Sequence, residues 1–156
     1  MANSAGLCYS FKTDLMNGVH AFSVATGGKG TVDAFKGALY YTSASLAPAT
    51  TTAYTATGEL VNGVAGVAGY TNTGQAITNA SAPSNPAGTC FWTPSGNLSW
   101  TSFTALAFNT LLIYNNTVTG KNAVGIFVFN DQTINAGTFT LTMPTNDAST
   151  GLVRLV

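Results

Sequence analysis

Charge is what this chain has least of. Only 6% of its 156 residues are Asp, Glu, Lys or Arg, five acidic against five basic, where an average soluble protein carries roughly 25%. Five cations spread along the chain form no basic patch to neutralise phosphates, which argues against nucleic acid as a partner. The single histidine, His20, cannot call on a second imidazole, and two cysteines with one histidine fall short of a zinc site. No apolar run approaches the roughly 18 residues of a membrane helix, so no membrane partner is expected. The opening residues, MANSAGLCYSF, have neither a charged leader nor an apolar core, so no secretory signal is read there. Cys8 and Cys90 are accordingly expected as two buried thiols in a reducing compartment, although a disulfide would be possible.

What fills the chain instead is apolar and uncharged polar material. Hydrophobic residues make up 46% and aromatics 11%, enough for a core and unlike a disordered segment. Polarity comes from Thr, which suits strands, and from Ser and Asn, which suit turns. A neutral, charge-poor surface does little to resist self-association, and suits a subunit that sits against neighbours or outside a cell.

The pattern predicts one domain over 1–156, mainly β, an antiparallel β-sandwich or barrel-like fold with one short N-terminal helix. Ser10 is placed as the cap of that helix, Phe11 and Leu15 on its inner face, and Asn17-Gly18 at its stop. Strands are expected at Val19–Val24 and at Asp33–Thr42, the latter with Phe35, Leu39 and Tyr41 inward and Lys36 and Tyr40 on a wetter face. Residues 61–96 are expected to be a Gly/Pro-rich extended loop region, with a hairpin turn at Asn62-Gly63. Further strands are expected at Leu98–Phe103, Phe108–Tyr114, Ala123–Phe129 and Thr138–Met143, with Pro144 ending the last, and a closing strand at Gly151–Val156.

Catalysis needs convergent titratable groups. His20 is expected as a turn residue, and Asp14, Asp33, Glu59, Asp131 and Asp147 as caps, turns or solvated positions. Gly27–Thr31 (GGKGT) fails as a phosphate loop, because the required upstream Gly and the Ser or Thr directly after the Lys are missing. Asn79, Asn97 and Asn115 head glycosylation triplets that chance explains in so Asn- and Thr-rich a chain. No enzyme, cofactor or metal is expected. Trp92 and Trp100, with the tyrosines, could instead make a sugar-binding platform.

Four segments, Tyr9–Phe22 (YSFKTDLMNGVHAF), Asp33–Tyr40 (DAFKGALY), Ala56–Leu60 (ATGEL) and Gly137–Leu155 (GTFTLTMPTNDASTGLVRL), together resemble small structural proteins of tailed-phage virions. The resemblance covers about a third of the chain and implies a virion component with no catalytic residue to carry over. It implies assembly in a host cytoplasm and residence in the virion. A capsid cement or decoration protein that binds the major capsid protein and itself, as a homotrimer, is the expectation; a tail, adaptor or fibre-associated subunit is the alternative, and a carbohydrate-binding module the alternative of another class. Residues 1–9 are expected as an N-terminal arm, with Leu7, Tyr9 and Phe11 as partner-binding residues.

Overall fold

A computed structural model describes residues 2–23, 30–64, 66–78, 82–85 and 88–156. Its elements run β1 (Gly6–Leu7), α1 (Tyr9–Met16), β2 (Phe35–Tyr41), β3 (Gln75–Ile77), β4 (Cys90–Trp92), β5 (Leu98–Asn115), β6 (Ala123–Leu141) and β7 (Val153–Leu155). An antiparallel sheet in the order β1-β6-β5-β2-β3 is joined by a ribbon of β4 and β7. The mainly β, antiparallel, sandwich-like architecture with a single short helix matches the pattern read from the sequence.

The four strands expected between 98 and 143 are two long ones, and the reason lies in their bulges. Inward positions on β5 are Leu98, Trp100, Phe103, Ala105, Phe108 and Thr110, with exposed pairs at 101–102 and 106–107. Between Trp100 and Phe103 β5 advances three residues while β6 goes back two, and the same occurs between Ala105 and Phe108. Each extra residue is absorbed in a left-handed conformation, at Ser102 (φ 51°) and Ala107 (φ 51°); Ala136 (φ 53°) does the same on β6. A bulge resets the period-two alternation and bends the strand. Segments that looked like separate strands are therefore one strand with restarted patterning, and residues 130–137 between two of them are part of β6.

The bends fold the hairpin over on itself. Gly37 pairs with Ile113, yet a Cβ on Gly37 would lie 2.8 Å from Leu98 Cδ1 and 2.9 Å from Leu111 Cδ1. In a straight strand Leu98 and Ile113 would stand about 50 Å apart. The start of β5 thus lies over β2, and Gln75 Nε2 of β3 donates to the Ser99 carbonyl at 2.7 Å. Inside the fold, Trp100, Phe103, Phe108, Phe129 and Phe139 form one aromatic cluster. On the other side, Phe22 stacks on Phe35 at 4.6 Å and Trp92 of β4 packs on both.

Several local expectations are corrected. The helix starts at Tyr9 with Cys8 as N-cap and no side-chain cap. Its entry is held by backbone instead, with Cys8 N donating to Val124 O and Tyr9 N to Pro48 O. Its end is as expected: Gly18 takes φ 67°, and Val19 N and Gly18 N bond the Asp14 and Leu15 carbonyls in a Schellman arrangement. Residues 19–23 are not a strand, and 24, like 27–29 of the GGKGT stretch, lies outside the described residues. Tyr40, expected on a wet face, is fully buried, because the 58–60 segment closes over β2, with Tyr41 N bonding Gly58 O and Leu60 N bonding Leu39 O. Asn62-Gly63 makes a turn but no hairpin: Gly63 N bonds Val67 O inside the loop. The 61–96 region contains β3 and β4, and Ala68 exchanges two backbone hydrogen bonds of 2.9 Å with Thr104 of β5.

Candidate functional site

The N-terminal residues are built into the domain rather than projecting from it. Asn3 Nδ2 donates to the Tyr41 carbonyl at 3.0 Å and its Oδ1 accepts from Leu46 N at 3.0 Å. Gly6 and Leu7 pair with Ile126 and Gly125 of β6. Phe11 is wholly buried and packs on His20 and Phe22, so a core position replaces the expected partner-binding role. Leu7 is half-buried, while Tyr9 is 63% exposed and is the one of the three that offers its ring to the outside. Residues 2–9 are therefore the edge strand β1 with its lead-in and the start of α1, not a free arm.

The tryptophans are also inside. Trp92 is 2% and Trp100 1% exposed, so neither offers a ring face to a sugar, and the stacking platform they suggested is not formed. Both cysteines are free; Cys8 is buried and Cys90 half-buried. Burial pushes the Cys8 thiol up to about 11, far from a reactive thiolate.

Three polar residues expected at turns or in solvent prove to be core groups. Asp33, 2% exposed, accepts from Ala21 N and from Asn115 Nδ2, both at 2.8 Å. Asn115 Nδ2 also lies 3.0 Å from His20 Nδ1, and His20 Nε2 is 3.6 Å from Asp14 Oδ2. This network ties the segment after α1 to the end of β5. His20 Nδ1 thus faces Asn115 and its Nε2 faces Asp14.

Glu59, 4% exposed, accepts from Tyr54 OH at 2.5 Å and from Tyr70 OH at 2.8 Å. Tyr70 OH in turn accepts from Leu39 N at 3.0 Å, filling a backbone position on β2 that no strand of the described residues reaches. Burial, followed by the Glu59 charge, holds the Tyr40 and Tyr70 hydroxyls far above their ordinary value; Tyr54 is raised too, by burial and by its hydrogen bond to Glu59. Two phenols occupy the carboxylate, so it is satisfied rather than poised for acid–base work. No group of three His, Cys, Asp or Glu comes together among the described residues.

The feature that remains is an open edge. β6 pairs with β5 along its length, while β1 covers its outer side only at Gly125 and Ile126. From Phe127 to Leu141 that side has no backbone partner among the described residues. Because β6 bends at its bulges, the Phe129 and Phe139 rings meet at 5.7 Å, and the two halves of the edge flank a seam. A cleft of about 150 Å³ lies there, lined by Phe127, Phe129, Leu141, Met143 and Leu152 among others. A second, of about 370 Å³, shares Phe127 and Leu152 and extends past Leu7 to Val156. No sequence signal marked this site, since which side of a strand is left open is a matter of topology.

No known protein family, no curated protein and no solved structure matches the chain.

Proposed function

We propose that the chain is a non-enzymatic structural subunit that assembles through the open side of β6. The observation that carries this reading is the conjunction at that edge of unpaired backbone, an apolar seam and a near absence of charge. From Phe127 to Leu141 the only charged residue is Asp131, and there is no lysine or proline, the devices by which strand edges normally escape pairing. Every buried polar cluster described above is spent on holding the fold.

The setting, a tailed-phage particle, comes from the resemblance of Tyr9–Phe22, Asp33–Tyr40, Ala56–Leu60 and Gly137–Leu155 alone. Within it the chain is read as a capsid cement or decoration protein, docked on the major capsid protein and adding stability by mass action. Immunogold labelling of purified virions with an antibody to this chain, together with its copy number by quantitative mass spectrometry, tests this. Hundreds of copies on the head are expected. A few dozen or fewer at the tail would instead make it a tail, adaptor or fibre-associated subunit, and absence from virions would overturn the virion reading.

A further inference from the structure

We propose that Gly137–Leu141 of β6 is the interface between two copies of this chain, joined antiparallel about a twofold axis through Phe139. The proposal rests on the assembly reading above and names its partner and register.

Only part of the open edge is suited to strand pairing. At 135–136 and around 129–131 β6 carries extra residues relative to β5, and bulges turn an edge away from an approaching strand. Between Gly137 and Leu141 β6 has no such extra residue: Leu141, Thr140 and Phe139 pair in step with Leu98, Ser99 and Trp100, and the bulge that follows belongs to β5. From Gln132 to Met143 there is neither a charge nor a proline. This stretch carries no bulge of its own, is unguarded, and on its outer side lacks a backbone partner among the described residues.

Its chemistry fits a second copy of itself. A twofold axis through Phe139 sets Thr138 opposite Thr140 twice, and Gly137 opposite Leu141 twice. Thr138 and Thr140 are exposed, and cross-strand Thr pairs are favourable. On the inner face, the space a Cβ of Gly137 would fill meets only Ile134 Cγ2, at 3.4 Å, which leaves room for the partner's Leu141. Identical edges usually oppose like charges on pairing; here neither copy brings a charge, and the chain's net charge is zero. Joining the edges also carries the half-buried Leu141 and Met143 of each seam toward the other copy. Closed isologous dimers of this kind are the commonest homo-oligomers.

The register makes a charge test possible. Sedimentation equilibrium of the intact chain across the micromolar range is expected to show a monomer–dimer equilibrium. Thr138→Lys with Thr140→Lys places lysines opposite one another at both pairs and is expected to weaken the dimer by about tenfold or more at low salt. Thr138→Lys with Thr140→Glu places each lysine opposite a glutamate and is expected to restore it. Circular dichroism checks that both variants fold, and the second controls for substitution at the same exposed positions. A wild-type chain that stays monomeric, or two variants that associate equally, overturns the pairing. A wild-type monomer that still occupies its place on virions overturns the pairing while the assembly reading stands.

Discussion

At the residue scale, the polar groups placed in the core are tied to the fold by hydrogen bonds. Tyr70 is the clearest case, because its hydroxyl both donates to Glu59 and accepts from Leu39 N. Tyr70→Phe removes no packing volume of consequence but leaves a buried N–H without a partner and a buried carboxylate with one donor fewer. An unsatisfied buried group costs about 1–3 kcal/mol, and urea unfolding of the variant should show a loss of that size. The tyrosines of this cluster and the buried Cys8 thiol together set the alkaline limit of stability. In the unfolded chain Cys8 loses its proton near 9.0 and the tyrosines near 10.0; in the fold Cys8 is held to about 11 and Tyr40, Tyr54 and Tyr70 higher still. A raised pKa for a group that is neutral when protonated contributes stability below the unfolded value and loses it above. The urea midpoint should therefore hold up to about pH 9 and fall beyond it, with the phenolates of Tyr40, Tyr54 and Tyr70 appearing together with unfolding. Ionisation of the Tyr40, Tyr54 or Tyr70 ring near pH 10 in a still-folded chain, resolved residue by residue by NMR, would contradict the burial of these hydroxyls.

At the scale of elements, the β5–β6 hairpin depends on a few residues in unfavourable backbone conformations. Ala107 sits at φ 51°, where a β-branched side chain is strained and glycine is not. Ala107→Val should destabilise by roughly 1–2 kcal/mol, whereas Ala107→Gly should leave the melting temperature level or raise it. This is also where the sequence was hardest to read. Alternation within Leu98–Phe103 and Phe139–Met143 was visible, and so was the apolar run of Phe108–Tyr114. Their union into single strands was hidden, because nothing at Ser102, Ala107 or Ala136 announces a left-handed residue. The helix was legible from Phe11, Leu15 and Asn17-Gly18, but its start was not, since backbone carbonyls of Pro48 and Val124 do the work of a cap. The burial of Asp33 and Glu59 was equally invisible, as their partners lie at Asn115 and Tyr70, far away in sequence for Asp33 and across a turn-rich loop for Glu59.

On the scale of the whole molecule, the scarcity of charge and the open side of β6 belong to one account. A curled sheet is closed where β3 meets the start of β5 and left open where, among the described residues, the outer side of β6 has no strand beyond Ile126. A chain with so few charges has little with which to keep that edge apart from another strand, and the proposed assembly would give the exposed N–H and C=O groups their partners. The most direct measurement is amide hydrogen exchange of the chain free in dilute solution against the chain in purified virions. Exchange in peptides spanning Gly137–Leu141 should slow by about tenfold or more on assembly, as expected for amides that gain strand partners. Slowing confined to other surfaces, with Gly137–Leu141 exchanging as fast as in the free chain, would contradict assembly through β6.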